Sequence, residues 1–200
     1  MEKYKKENTF RFKDTLLGKN VFLRHPKSKD WEEWAKLRSE SRSFLQPWEP
    51  TWTVDALTRR KFHKRIQRQR RELGSQQSYP FFIFHKADGY LLGGITIANI
   101  QRGVSKSATI GYWMGEKYSR KGYMSDGLNI ILMHSFSELK IHRLQAFCMP
   151  NNISSKKLLE NTGFRIEGKI RKYLYINSCW EDHLFYNILS EDWDKLSVLR

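Results

Sequence analysis

The chain contains 200 residues, 40% of them hydrophobic, with 12 Phe, 9 Tyr and 7 Trp, which is enough apolar material for one sizeable core in a single domain. Its net charge of +15 predicts attraction to polyanions such as nucleic acid, the ribosome, an anionic membrane or a phosphorylated cofactor. Residues 1–6 lack the apolar core of a signal peptide, and no apolar run approaches the roughly 20 residues of a spanning helix, so we expect a soluble, cytoplasmic protein.

The hydrophobic spacing in the first half predicts two helices followed by a run of strands. A short strand ends at Pro26, and Asp30 is the predicted N-cap of the helix that follows. The dipeptide Asp88-Gly89 between two strand-like runs indicates a hairpin. In chain order we predict a strand over 20–24, helices over 31–37 and 55–73, and antiparallel strands over 79–85, 90–100 and 108–114.

The second half alternates helices and strands. We predict helices over 125–139 and 154–161, and strands over 144–149, 165–176 and 180–189. The whole chain therefore reads as α+β, with a mixed, mostly antiparallel twisted sheet of about six to seven strands flanked by about four helices. We assign 1–19 to an N-terminal extension and 20–200 to one domain.

A basic, glycine-containing turn over 119–127 lies between the predicted strand 108–114 and the predicted helix 125–139. The first turn of a helix leaves its backbone N–H donors unpaired and carries partial positive charge, so this order of elements suits a diphosphate. Gly122 lets the backbone approach phosphate oxygens without a Cβ in the way. We predict a phosphorylated cofactor here; the alternative is a solvated basic turn.

Several segments resemble the GCN5-related N-acetyltransferase (GNAT) superfamily. Its cofactor loop is written Gln/Arg-x-x-Gly-x-Gly/Ala; in the matching window 119–124, Gly122 is retained, whereas Ser119 and Met124 depart from the pattern. Leu45-Gln46-Pro47-Trp48-Glu49-Pro50 looks like the signature of the RimJ-type ribosomal-protein-alanine N-acetyltransferases. The other similar segments are Asn151-Asn152-Ile153-Ser154-Ser155, Gly163-Phe164 with Glu167-Gly168, and Trp180-Glu181-Asp182-His183.

The resemblance implies a GNAT fold with a V-shaped split between the fourth and fifth strands, 108–114 and 144–149, where acetyl-CoA lies. It implies acetyl transfer to a primary amine, and in the RimJ/RimL-type branch to the N-terminal alanine of a ribosomal protein. We expect no metal, because the six histidines lack ligand spacing. The implied cofactor-binding residues are Gly111, Tyr112, Trp113, Met114, Ser119, Arg120, Lys121, Gly122, Tyr123, Met124, Asn152 and Ser155.

Amide formation from a thioester requires a neutral amine, a donor for the oxyanion and an acid for the leaving thiolate. By resemblance, Asn152 contacts the pantetheine arm and Ser155 protonates or stabilises the thiolate, although both residue types are also common N-caps. Glu49 is predicted to act as base or to bind the amine; the alternative is a loop carboxylate paired with Arg or Lys. Tyr173 and Asp182 are candidates for proton relay or for holding the amine, with cross-strand packing as the alternative for Tyr173.

Trp48 and Trp52 are predicted either to line the acceptor site or to pack at the edge of the core. The densest charge cluster, 59–71, indicates either contact with ribosomal RNA or a solvated basic helix. A small amine such as a polyamine, amino acid or antibiotic remains an alternative acceptor, and a non-catalytic RNA-associated module remains an alternative function. The sequence leaves monomer and homodimer open, and Cys148 and Cys179 are expected to be reduced thiols.

Overall fold

The computed structural model describes residues 15–198, which form one mixed sheet flanked by helices. The eight strands lie in the order β1-β2-β3-β4-β5-β6-β8-β7. Their bounds are β1 Thr15–Leu17, β2 Val21–Arg24, β3 Tyr79–His85, β4 Leu91–Gln101, β5 Ser107–Met114, β6 Arg143–Cys148, β7 Arg165–Ile176 and β8 Cys179–Leu189. The α+β fold is confirmed, with more strands than the six to seven predicted.

The helices cover both faces of this sheet. They are α1 Trp31–Glu40, α2 Arg42–Leu45, α3 Arg59–Gly74, α4 Tyr123–Met133, α5 Ile153–Asn161 and α6 Ser190–Val198. Two of these, α2 and α6, were not predicted, and α4 continues into a π-helical turn over His134–Glu138. None of the helices in residues 15–198 is both long enough and apolar enough to cross a membrane.

Strand β1 lies within the segment assigned to the N-terminal extension. It pairs with β2, and the loop between them is held by Asp126, whose carboxylate accepts hydrogen bonds from the backbone N–H groups of Lys19, Asn20 and Val21 at 3.2, 2.6 and 3.2 Å. Residues 15–19 are therefore part of the sheet structure. The boundary at residue 20 stays a prediction, and residues 1–14 lie outside the described part of the chain.

The sheet divides between β5 and β6, its only parallel pair among the described strands. Their pairing runs from Ser107 with Arg143 to Ile110 with Ala146. Beyond that point β5 continues along β4, and β6 continues along β8. The predicted split between the strands at 108–114 and 144–149 is therefore present, and it opens a cleft at the end of the sheet.

The core lies on both faces of the sheet. On one face α4 packs so closely that a Cβ on Gly127 would lie 3.2 Å from Ile95 and 3.3 Å from Ile83. On the other face α1 and α3 bury Trp34 and Phe62 against the sheet. This packing fixes α1, α3 and α4 relative to the split.

The predicted start of the first helix is confirmed, with Asp30 at the N-cap position of α1, whereas the predicted start of the second helix differs from the structure. The Asp30 carboxylate does not cap α1 but binds Arg24 at 2.8 Å and the backbone N–H of Lys27 at 2.7 Å. The second helix begins at Arg59 rather than residue 55, because Thr58 is its N-cap and accepts from the N–H of Lys61 at 3.4 Å. A side-chain cap thus overrides the hydrophobic spacing that suggested the earlier start.

Candidate active site

The splayed ends of β5 and β6 open a cleft of about 1150 Å³. Its walls are β5 and β6, the loop over 118–125, the start of α5 and the segment 43–49. All the residues that the sequence assigned to the cofactor line it: Gly111, Tyr112, Trp113, Met114, Ser119, Arg120, Lys121, Gly122, Tyr123, Met124, Asn152 and Ser155. Residues from three separate segments therefore meet in one concave site.

The loop before α4 has the backbone conformation of an anion-binding site. Arg120 and Gly122 both adopt positive φ, at 59° and 81°, and left-handed residues of this kind occur in the backbone concavities that bind anions. Gly122 is the N-cap of α4 and has no side chain to accept from the first turn. The N–H groups at the start of α4 are thus left for an external anion, and the helix dipole favours negative charge there.

Two hydroxyl groups meet on the opposite wall of the cleft. Ser155 Oγ lies 2.7 Å from the phenolic oxygen of Tyr112, and burial raises the pKa of Tyr112, so the phenol keeps its proton. Asn152 caps α5 by accepting from the N–H of Ser155 at 3.1 Å. The capping role considered for Asn152 is therefore real, and it also fixes where Ser155 sits.

Cys148 completes this group of side chains. It is buried, it lines the cleft, and burial raises the pKa of its thiol, while hydrogen bonding with Ser155 opposes that rise. A thiol with a raised pKa stays protonated near neutral pH and is a poor nucleophile. The site thus holds three weakly acidic hydrogen donors and no activated thiolate.

Glu49 lies at the far side of the cleft, with its carboxylate already engaged. It forms an ion pair with Arg38 and accepts a hydrogen bond from Trp52 Nε1 at 2.8 Å. The Arg38 guanidinium in turn lies 4.4 Å from the Trp52 ring and 4.9 Å from the Trp113 ring. Pairing with arginine, the alternative that the sequence left open for Glu49, is therefore present.

The chain is similar to known acetyltransferases over most of its length. The Acetyltransferase (GNAT) domain family matches residues 20–165. The chain belongs to this family. The acetyltransferase is 36% identical over 177 residues to "Probable N-acetyltransferase YjcK" of Bacillus subtilis, which covers 88% of this chain and 98% of that protein.

Two further proteins are similar to this chain, one in sequence and one in structure. The acetyltransferase is 30% identical over 176 residues to the "[Ribosomal protein uS5]-alanine N-acetyltransferase" of Escherichia coli, covering 82% of this chain and 86% of that protein. Mycobacterium smegmatis RimJ, solved in complex with CoA-disulfide, superposes with a TM-score of 0.85 at 29% identity, covering 93% of this chain and 94% of that one. The chain is an acetyl-CoA-dependent N-acetyltransferase with a GNAT fold.

Three predicted residues do not line the cleft of the acetyltransferase: Trp52, Tyr173 and Asp182. Trp52 lies in a neighbouring pocket that shares Glu49 with the cleft. The Tyr173 ring packs on Phe147, with centroids 4.8 Å apart. Tyr173 therefore makes the cross-strand packing contact that was its alternative, and its catalytic role stays a prediction.

Asp182 points away from the cleft because side chains alternate along a strand. Its carboxylate binds Lys169 Nζ at 2.7 Å and the N–H of Lys172 at 2.9 Å, and these bonds lower its pKa. The neighbouring His183 has the opposite orientation, is buried and lines the cleft. Of the segment Trp180-Glu181-Asp182-His183, it is therefore His183 that lines the cleft, and the substrate-binding role of Asp182 stays a prediction.

Sequence reasoning also assigned Tyr112 to cofactor contact alone. Its contact with Ser155 joins residues 43 positions apart in the sequence. The one feature of the sequence that could have indicated this contact is a tyrosine on the strand beside the predicted split. Within residues 15–198, no three His, Cys, Asp or Glu side chains are grouped closely enough to hold a metal ion.

Proposed function

We propose that this acetyltransferase moves the acetyl group of acetyl-CoA to the α-amine of a protein N-terminus, with the N-terminal alanine of a ribosomal protein as substrate. The observation that carries the proposal is the cleft in which the glycine-containing loop, a partly buried hydroxyl pair and residues of the signature segment from Leu45 to Glu49 meet. The similarity to the alanine N-acetyltransferase acting on uS5 supports the choice of acceptor. Such a substrate places the enzyme in the cytoplasm.

The hydroxyl pair supplies the acid that the reaction needs. In our proposal the neutral amine attacks the thioester carbonyl, the carbon–sulfur bond breaks, and the thiolate takes its proton from Ser155 Oγ. The phenol of Tyr112, 2.7 Å away, replaces that proton, and the Tyr112 phenolate regains one from the water that takes up the proton lost by the amine. Because burial keeps Tyr112 protonated, the relay holds a proton before each turnover.

Glu49 acts at the acceptor end in this proposal. Its ion pair with Arg38 and its bond from Trp52 hold the carboxylate in place and leave it with capacity for a further donor. We assign that capacity to an N–H of the incoming amine. Water carries away the proton that the amine loses, so Glu49 positions the acceptor without being the base.

A panel of acceptors tests the proposal. Free-thiol release from acetyl-CoA is measured with short peptides beginning with Ala, Ser or Met, with spermidine, and with a mixed aminoglycoside set. We expect turnover of the Ala peptide to exceed the others and to be lost in Ser155→Ala. Tyr175→Phe is the matched control, because Tyr175 lies on β7 outside the cleft.

Turnover of small amines alone would move the acceptor to that class. CoA binding without any turnover, together with salt-sensitive RNA binding, would favour the non-catalytic module. In either case the cofactor loop would stand and the acceptor assignment would be wrong.

A further inference from the structure

A second pocket adjoins the acceptor end of the cleft. It has a volume of about 560 Å³, lies between α1, α3 and the segment 50–57, and shares Glu49 with the cleft. Its aromatic walls are Trp34, Trp52 and Phe62. The size is within the range of small-ligand sites, and the acetyl-transfer chemistry described so far uses only the wall formed by Glu49, Arg38 and Trp52.

The charges around this pocket are strongly unbalanced. The cations lining it are Arg38, Lys61, Lys64, Arg65, Arg68 and Arg71, against the single carboxylate of Glu49. Three of them have carboxylate partners, namely Arg38 with Glu49, Lys61 with Asp55 and Arg68 with Glu72. Within residues 15–198 the other three, Lys64, Arg65 and Arg71, form no ion pair.

Arg65 is the least compensated of these cations. Its Nε is buried, and no atom of the described residues accepts a hydrogen bond from it. Its guanidinium lies 5.9 Å from the Trp34 ring, and burial together with repulsion from Arg38 and Arg68 lowers its pKa to about 10. A buried donor and charge left in this state are costly, so an anion entering the pocket gains both a hydrogen bond and charge neutralisation.

We propose that this pocket binds the carboxylate of an acidic side chain that follows the N-terminal residue of the acceptor. The proposal rests on the proposed function and deepens it, because it gives the substrate class as peptides with Asp or Glu near the N-terminus. The shared wall at Glu49 places the pocket next to the amine. An extended peptide advances about 3.3–3.6 Å per residue, so side chains a few positions along reach it.

An acidic peptide fits the pocket better than RNA does. The three unpaired cations lie in a concave space bounded by α1 and continuous with the acceptor end of the cleft through Glu49. An RNA backbone would engage the convex, solvent-facing side of α3, where Arg59, Arg60 and Arg70 are exposed. RNA binding at the pocket is therefore treated as an outcome that overturns the proposal.

The test compares two peptides that differ only in charge, Ala-Glu-Glu-Ala and Ala-Gln-Gln-Ala, each with an amidated C-terminus. We expect KM for the acidic peptide to be lower by about tenfold, the value of one charge-assisted hydrogen bond, with the gap narrowing at high salt. Arg65→Gln, Lys64→Gln and Arg71→Gln should each reduce the gap. Lys36→Gln, an exposed charge change on α1 outside the pocket, should preserve it.

A binding measurement separates this inference from the proposed function. The N-acetylated form of the acidic peptide cannot be a substrate, and Trp34 and Trp52 line the pocket, so its binding should quench tryptophan fluorescence in the wild type and less in Arg65→Gln. Lys64 and Arg71 are exposed, so their variants keep the test valid if Arg65→Gln fails to fold.

Four results overturn one claim or the other. Equal KM for both peptides means that the pocket inference is wrong while N-terminal acetylation stands. Turnover of no peptide at all contradicts the proposed function, and the fluorescence titration then still decides the pocket. The absence of quenching by the blocked acidic peptide, or tighter binding of a single-stranded RNA oligonucleotide that is lost in Arg65→Gln, contradicts the inference.

Discussion

The phenolic oxygen of Tyr112 and Oγ of Ser155 lie 2.7 Å apart, across the gap between β5 and the first turn of α5. Neither group is positioned by its own element alone. Asn152 fixes the position of Ser155 by accepting a hydrogen bond from its backbone N–H at the start of α5. The pairing of β5 with β6 ends at Ile110, and Tyr112, two residues further along β5, lines the cleft. The split in the sheet therefore creates the contact on which the proposed acid catalysis depends.

Removing either hydroxyl should slow turnover and leave CoA binding nearly intact. We expect Ser155→Ala to reduce kcat by about 10² and Tyr112→Phe by less, since general acid catalysis contributes about 10²–10⁴. Because the two groups form one relay, the double variant should be hardly slower than Ser155→Ala. Steady-state kinetics, with CoA affinity measured by calorimetry, provides the check; additive effects would show that the hydroxyls act separately.

Gly122→Ala should weaken acetyl-CoA binding through the backbone. The φ of 81° at Gly122 is costly for any residue with a Cβ, although a Cβ built there meets nothing within 4 Å. We expect KM for acetyl-CoA to rise by about tenfold, equivalent to about 1.4 kcal/mol. Gly103→Ala is the matched control, because a Cβ there is equally free of contacts and the φ is not positive. An equal KM for acetyl-CoA in both variants would contradict the role of the loop at Gly122 in binding the cofactor.

Asp126→Ala should destabilise the fold and spare the cleft. The carboxylate holds three backbone N–H groups between β1 and β2 and also sits in the first turn of α4. We expect a loss of about 2 kcal/mol and a fall in Tm of about 4–8 °C. The surface pair of Glu40 with Lys117 is exposed, so Glu40→Gln should leave Tm nearly unchanged. A smaller shift for Asp126→Ala than for Glu40→Gln would contradict this role.

His134 should make folding stability fall in acid. It is buried between Tyr79 and Phe81, neither ring nitrogen has a hydrogen-bond partner among residues 15–198, and burial lowers its pKa below the usual value. The unfolded chain therefore binds the proton more tightly, so this contribution is full above about pH 6.5 and is lost as the pH falls toward the folded-state pKa. Urea unfolding between pH 7.5 and 5 should show a shallower decline in His134→Phe than in the wild type.

Much of the fold was predictable because its elements are marked locally. The strands Tyr79–His85 and Arg165–Ile176 have the predicted bounds, since each is rich in aromatic and β-branched residues and ends at turn residues. Strand β1 has three residues and α2 has four, too few to show a period. These short elements depend on tertiary contacts, such as the carboxylate of Asp126, that lie more than a hundred positions away.

The parts of the site that are formed by consecutive residues could be predicted from the sequence. The loop 119–124 and the start of α5 line the cleft as expected, because a turn before a helix carries its own geometry. Side chains alternate along β8, and His183 lines the cleft whereas Asp182 does not. The sequence pattern shows that the two residues face opposite sides of the strand but not which of them faces the cleft.

The most direct test of the account is to follow a labelled acetyl group in a single turnover. Enzyme loaded with isotopically labelled acetyl-CoA is mixed with a peptide that begins with Ala and also contains one Lys, and tandem mass spectrometry locates the modified nitrogen. The account predicts label on the α-amine of Ala in the wild type and its near absence in Ser155→Ala. Label on the Lys side chain alone, or equal transfer by Ser155→Ala, would contradict it.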